Sequence, residues 1–373
     1  MTKIFDPKQK ILANLDYVAK LLVTGYSPPI LVEVDPSNAC NHGCPFCISS
    51  YIHLPESKGL ETYDRSVMAK DILFRLCYDL MKIGVKAVNW TGGGEPTVNP
   101  HLKDAISILG WGGIKQGIFT NGTLLDKYDL FQVLIDFFSW VRISVDAGTP
   151  DSYNAIRRVR QDHGWDKMVS NLKKLTEINK GQIDIGVGFV ITPHNYKEIL
   201  DFANFFKEFD VTYLQYKPEI VNREREGGIQ RTLEFWKNDV FPLLEQAQDI
   251  LGDKFQLNGY KLRDLTENTL DYGRTYKRCF GSQLSPCVGA DGHVYVCTNH
   301  RGYKQYSYGS LYKRSFIEIW KDVALRKMVM DVIEKDEKFC NCTQLCKPHE
   351  SNKILWDLYE TIHDPDLKHS EFV

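Results

Sequence analysis

The chain has 373 residues, 43% apolar and 25% charged, ordinary globular proportions that allow one large α/β domain plus a smaller module. Lys and Arg number 46 against 48 Asp and Glu, a formal net charge of −2, so neither a basic field for nucleic acid nor an acidic tail is present. The start, Met1-Thr2-Lys3-Ile4-Phe5-Asp6, lacks the apolar run of a signal peptide, and no apolar run reaches membrane-spanning length, so no membrane partner and a cytoplasmic address are expected.

Ile11, Leu12, Leu15, Val18 and Leu22 recur at helical spacing between Lys8 and Thr24, predicting a short leading helix within residues 1–29. After Gly25 and the Pro28-Pro29 break, Ile30 to Asp35 reads as a strand that delivers a cysteine loop. Met68, Ile72, Leu76, Leu80 and Ile83 mark a helix, and Ala87 to Trp90 a strand ending in Gly92-Gly93-Gly94-Glu95-Pro96. Further strands are predicted to end at Thr120-Asn121-Gly122 and Ser144-Val145-Asp146, then to run over Ile183–Ile191 and Val211–Lys217. Strands alternating with helices predict an α/β fold with a parallel sheet, and polar residues gathered at strand C-terminal ends favour a barrel-like curl over residues 30–218. The composition changes at Glu219, where Asn222 to Gly228 reads as a solvated linker within a 219–276 linker and helical region. A cysteine-rich α+β module is expected over 277–373, with an amphipathic helix from Ser315 to Val332.

Ten cysteines are ill suited to disulfides where thiols are kept reduced, and nine of them cluster: Cys40, Cys44, Cys47; Cys279, Cys287, Cys297; Cys340, Cys342, Cys346. Such clustering reads as metal ligation, while Cys77, inside an apolar helical pattern, reads as a small buried hydrophobe. Three thiolates at C-x3-C-x2-C spacing can hold three irons of a cubane [4Fe–4S] cluster and leave the fourth iron open to a small ligand. A zinc knuckle or a redox pair is the competing reading of the first cluster.

The text Asn38-Ala39-Cys40-Asn41-His42-Gly43-Cys44-Pro45-Phe46-Cys47, with the Gly92–Pro96 motif in register after it, resembles the radical S-adenosylmethionine (SAM) enzymes. The resemblance implies a partial (β/α)6 barrel over roughly Leu31 to Pro218, whose open iron binds the amino and carboxylate groups of SAM. It places Phe46 against the adenine, Gly93, Gly94 and Glu95 at the methionine amino group, and Asn121, Ser144 and Asp146 at strand ends facing ribose and carboxylate. Arg157 is the implied fork to the SAM carboxylate, with Arg158 its rival, and Val190 the adenine-packing residue of the fifth strand. Each also has a plainer reading: a core aromatic for Phe46, capping polar groups for Ser144 and Asp146, a solvated surface for the arginines, an ordinary buried valine.

Asp291-Gly292 reads as a hairpin turn that delivers Cys297. Together with Cys340-x1-Cys342-x3-Cys346, this module resembles the SPASM and twitch auxiliary-cluster extensions of radical SAM enzymes. A full SPASM module has seven cysteines and two clusters; six are present here, with none after Cys346. One auxiliary [4Fe–4S] cluster is therefore expected, held by Cys279, Cys297, Cys346 and one of Cys287 or Cys342. Two auxiliary clusters, or a structural zinc, are the alternatives.

The resemblance implies an enzyme that takes a low-potential electron from a flavodoxin or ferredoxin-type donor, cleaves SAM reductively and abstracts a substrate hydrogen atom. The expected substrate is a small biosynthetic metabolite of sugar, aminoglycoside or nucleoside type, undergoing net oxidation or rearrangement. Only about thirty residues precede the first strand, too few for a leader-binding domain, which sets the small molecule ahead of the alternative, maturation of a ribosomally made peptide. A non-enzymatic iron–sulfur or zinc scaffold is the third reading. Tyr216, Lys217, His300 and Arg301 are the candidate polar contacts to substrate.

Overall fold

Nearly continuous apolar runs such as Ile183–Ile191 suit strands covered on both faces, and the computed structural model gathers them into one sheet. It describes residues 6–49, 66–159, 163–219, 234–257, 274–335 and 346–364. The expected linker Asn222–Gly228 lies outside these residues, as do Cys340 and Cys342.

The leading helical segment is two helices, α1 (Pro7–Leu12) and α2 (Leu15–Thr24). Asp6 caps α1 by accepting from the amides of Lys8 and Gln9, and Gly25 ends α2 in the left-handed region at φ +71°. The break falls where Asn14 turns its side chain back to the Lys10 carbonyl, 2.8 Å away, a local bond that competes with helix propagation.

Strands β1 (Leu31–Val34), β2 (Ala87–Trp90), β3 (Lys115–Thr120), β4 (Phe138–Ser144), β5 (Asp184–Ile191) and β6 (Tyr213–Pro218) lie side by side in chain order, all parallel. Between them run α3 (Lys70–Ile83), α4 (Leu102–Trp111), α5 (Phe131–Phe137), α6 (Pro150–Arg157), α7 (Gly164–Ile178) and α8 (Ile199–Phe206). β1 and β6 are not neighbours, so the set stays open as a partial barrel. α3 buries Ile72, Leu73, Leu76, Cys77 and Leu80, and the Cys77 thiol faces the Ala105 carbonyl within this core. β5, α8 and β6 share an aromatic layer of Phe189, Phe202, Phe206 and Tyr216. Tyr216 is fully buried there and its hydroxyl donates to the Ile199 carbonyl at 2.9 Å, so it is a core residue and not a substrate contact.

After α9 (Phe241–Leu251), β7 (Phe255–Leu257) pairs parallel to β6. The C-terminal part comprises α10 (Phe280–Leu284), β8 (Cys287–Val288), β9 (His293–Tyr295), β10 (Ser307–Ser310), α11 (Phe316–Lys321), α12 (Val323–Glu334) and α13 (His349–Ile362). β8 and β9 form the antiparallel hairpin expected at Asp291-Gly292, with Gly292 at φ +74°. Sequence reasoning missed that β8 pairs parallel with the free edge of β1, Glu33 opposite Cys287 and Val34 opposite Val288, extending the barrel sheet to ten strands.

Trp320 of α11 anchors the C-terminal part to the start of the chain. It is fully buried, stacks on Phe316, and donates its indole N–H to the Ser27 carbonyl at 2.8 Å. Trp320→Ala is expected to destabilise the protein by about 3–5 kcal/mol through cavity and lost hydrogen bond. An unchanged denaturant midpoint in that variant would remove Trp320 as the anchor.

Candidate active site

β1 ends at Val34 and the chain turns through Asp35 into the cysteine loop, while β2 ends at Trp90 and turns into the glycine motif. The two loops dock backbone to backbone: the Gly94 amide donates to Ser37 and the Glu95 amide to Ala39, each at 2.9 Å. A Cβ on Gly94 would overlap the backbone of Asn38 and Ala39, and one on Gly92 would overlap the Gly94 carbonyl, so the close approach needs glycine. Gly93 sits buried between them.

Glu95 is 3% exposed and accepts four hydrogen bonds: from the Thr97 amide and hydroxyl at 3.2 and 2.6 Å, the Thr120 hydroxyl at 2.5 Å and the Asn121 amide at 2.7 Å. Burial pushes its carboxyl pKa up and these donors pull it back. The side chain is thus a staple between the β2 and β3 loops rather than an open acceptor. Asn121 likewise spends its amide on the cysteine loop, donating to Asn41 at 2.8 Å, while Asn41 donates to Thr123 at 2.8 Å.

Asp146, beyond β4, holds φ +64°, a left-handed conformation that Asp tolerates better than most residues. Its carboxylate accepts from the Val190 amide at 2.7 Å and forms a buried ion pair with Arg157, and Asn195 donates to its carbonyl at 2.8 Å. Arg157 carries this network to the cysteine loop, its carbonyl accepting from the Gly43 amide at 3.0 Å. Arg158 is exposed, so the rival arginine drops out of the site. Ser144 is half-buried at the end of β4, opposite Gly188. Phe46 is half-buried and packs against the core.

Burial pushes the Cys40 and Cys44 thiols up to about 12, Arg157 offsetting part of this at Cys44. Thiols so placed become thiolates only against a strong cation, which a coordinating metal supplies. Beside them, the buried Arg157 Nε and both ring nitrogens of His42 have no hydrogen-bond partner among the described residues. Burial, with Arg157 nearby, pushes the His42 pKa down to about 3, and the neutral ring packs edge-on against Tyr153. Among the described residues no three His, Cys, Asp or Glu side chains converge on a single-ion site.

In the C-terminal part Cys279, Cys297 and Cys346 line one small pocket with Ser282 and His300. The Asn352 amide donates to the Cys279 sulfur at 3.2 Å. Cys287 stands apart from the pocket lining on β8, fully buried, its thiol pushed well up by desolvation. His300, read from sequence as a substrate contact, is a wall of this pocket with its ring 4.2 Å from that of Tyr306. Arg301 is also not a substrate contact: it is buried in an ion pair with Asp35 at 2.8 Å. Lys217 is half-buried at the end of β6.

Residues 34–206 match the family model of the radical SAM superfamily, and residues 279–347 match that of the SPASM iron–sulfur cluster-binding domain. The chain belongs to the radical SAM superfamily. As such it has a core that binds a [4Fe–4S] cluster and SAM, and a SPASM module that carries auxiliary iron–sulfur chemistry. Among curated relatives it is 24% identical over 319 residues to the tungsten-containing aldehyde ferredoxin oxidoreductase cofactor-modifying protein of Pyrococcus furiosus, covering 82% of this chain and 84% of that one. It is also 24% identical over 332 residues to a serine-type anaerobic sulfatase-maturating enzyme of Bacteroides thetaiotaomicron, covering 79% and 76%. The fold matches Streptococcus suis SuiB bound to S-adenosylmethionine with a TM-score of 0.62 at 19% identity, over 93% of this chain and 78% of that one. It matches anSMEcpe with bound AdoMet with a TM-score of 0.58 at 16% identity, over 89% and 97%. Among the described residues no helix is long and apolar enough to cross a membrane.

Sequence reasoning passed over Asp35, Asn41, Ser49, Thr91 and Asn195, all of which brace the site. Asp35 alone carried a signal, as a charge ending an apolar strand. Gly94→Ala is expected to push the two loops apart and lower the iron content by about four per chain, with secondary structure retained. Wild-type iron in that variant would show that the close approach is dispensable.

Proposed function

We propose that this radical SAM protein is a maturase of a peptide or protein substrate and performs a net oxidation assisted by one auxiliary [4Fe–4S] cluster. The reading rests chiefly on end-to-end likeness, barrel and module together, to proteins with peptide or protein substrates. SuiB was solved bound to its precursor peptide SuiA, anSMEcpe was solved with the Kp18Cys peptide, and the Bacteroides relative is a sulfatase-maturating enzyme. These comparisons favour the peptide alternative over the small metabolite expected from sequence. The short stretch ahead of β1 does not weigh against a peptide, since 97% of the peptide-bound anSMEcpe chain is covered by this one.

In this reading Cys40, Cys44 and Cys47 hold the SAM-binding cluster. Phe46, Gly93, Gly94, Glu95, Asn121, Ser144, Asp146, Arg157 and Val190 form the cradle for SAM. When bound, cluster and SAM supply a reactive radical for hydrogen abstraction. Gly92 to Gly94 let the backbone come close, Glu95 holds the turn in shape, and Asp146 keeps Arg157 aimed beside Cys44, where its charge stabilises a thiolate. Cys279, Cys297 and Cys346, with Cys287 or Cys342, hold the auxiliary cluster. That cluster would supply an acceptor for the electron that the substrate radical gives up on becoming the oxidised product, and a flavodoxin or ferredoxin-type protein would supply the first electron.

Two measurements test this. The Cys40/Cys44/Cys47→Ala variant is expected to lose about four of about eight irons, and a variant that keeps them all would refute the ligand assignment. Second, the reduced wild-type enzyme with SAM is given a cell extract divided by a small-peptide cutoff filter, and 5′-deoxyadenosine is quantified. Stimulation should come from the retained fraction and vanish after protease digestion. Stimulation by the filtrate that survives protease would return the assignment to a small metabolite.

A further inference from the structure

The ion pair between Arg301 and Asp35 joins the two parts of the molecule at the cysteine loop. Arg301 follows Cys297 by four residues in the module, and Asp35 follows β1 directly, five residues before Cys40. Arg301 Nη1 meets Asp35 at 2.8 Å, and Nη2 donates to the hydroxyl of Ser49, two residues beyond Cys47. The other Asp35 oxygen accepts from Thr91 at 2.7 Å, the residue that leads into Gly92. Ser49 donates in turn to the Gly92 carbonyl at 3.4 Å. The result is a ring of four side chains, closed through the Thr91–Gly92 backbone, running from the module to the end of β1, to the glycine turn, to the far side of the cysteine loop and back to the module. All four side chains are buried: Asp35 0%, Ser49 1%, Arg301 4% and Thr91 8% exposed.

A guanidinium suits this place because its rigid fork offers diverging N–H donors to two partners at once, which an ammonium on a flexible stem does not. The pair is shielded from water and cannot be replaced by solvent, so losing the cation strands the Asp35 carboxylate in the sheet end. Nothing else in the ring is charged, and its hydroxyls are aimed by the Asp35–Arg301 axis. The cysteine loop is thus clamped at both ends, at Ala39 by the Glu95 amide and at Ser49 by Arg301.

We propose that Arg301 is a positioning residue through which the cysteine-rich module holds the Cys40–Cys47 loop against the glycine turn in its SAM-binding geometry. SAM affinity at the first cluster then depends on a side chain rooted beside Cys297, a pocket cysteine of the other site. The proposal rests on the assignment of Cys40, Cys44 and Cys47 to the SAM-binding cluster.

The test uses full-length, anaerobically reconstituted holoenzyme, with iron counted and SAM titrated against the EPR spectrum of the reduced cluster. Arg301→Gln is expected to keep the wild-type iron content while weakening SAM by about tenfold, the scale on which residues supporting metal ligands act. Arg301→Lys should recover part of the loss. A wild-type SAM titration in Arg301→Gln overturns the proposal, as does loss of the auxiliary irons with the titration unchanged, which would confine Arg301 to its own module. Should Arg301→Gln fail to fold, Ser49→Ala removes two bonds of the ring and Thr91→Val one, and wild-type titrations in both overturn it. Failure of the underlying cluster assignment reads differently: the Cys40/Cys44/Cys47→Ala protein would then keep its iron.

Discussion

The arrangement of both cysteine sites depends on β1 being paired along both edges. An open barrel leaves its first strand with a row of unpaired N–H and C=O groups, a template for unwanted pairing. Here β8 takes that edge, with the Glu33 amide donating to Pro286 at 2.9 Å and the Asp35 amide to Val288 at 2.8 Å. The C-terminal part is therefore a continuation of the sheet and not a bead on a tether. Register then does the positioning: Cys287 falls opposite Glu33, and the hairpin carries Cys297 to the pocket it shares with Cys279 and Cys346.

Around this junction the molecule buries an unusual amount of charge. Glu33, Asp35, Glu95, Asp146, Arg157 and Arg301 are all under a tenth exposed. Burial disfavours every one of these ions, and a hydrophobic replacement of matching shape often stabilises a fold as well or better. Each is instead matched: Glu33 with Lys347, Asp35 with Arg301, Asp146 with Arg157, and Glu95 with four neutral donors. Directional pairs of this kind specify one arrangement of loops where apolar contacts would allow several. That fits a site in which loops from different strand ends must meet without a continuous sheet or helix to hold them.

The strand sequence was legible because each predicted strand carries an apolar run closed by glycine or polar residues, and β1 through β6 appear in that order. Cys40, Cys44 and Cys47 stood out as candidate ligands by their spacing together with the glycine motif downstream, because ligation constrains sequence distance directly. Orientation was not. Tyr216 and Arg301 both read as polar groups near the barrel mouth, yet Tyr216 points into the aromatic layer and Arg301 into the β1 end. Glu95 read as an open carboxylate because the donors that fill it, Thr120 and Asn121, stand 25 and 26 residues away in the chain. The pairing of β8 on β1 was hidden for the same reason. A two-residue strand has no periodicity, and its partner lies some 250 residues upstream.

The two cysteine sites are built on different physical terms. The first loop is set in place by backbone hydrogen bonds, Gly43 to Arg157 and Glu95 to Ala39, with a cation beside Cys44. The second gathers Cys279 from the start of a short helix, Cys297 from a hairpin and Cys346 from the approach to α13, residues far apart in the chain. Its lining comes from α10, the hairpin and the approach to α13, whereas the first loop is held by barrel loops at Ala39 and Gly43 and by Arg301 of the module at Ser49. Arg301 reaches Asp35 because the hairpin lies on β1, so the β1–β8 pairing that builds the second site also completes the clamp on the first.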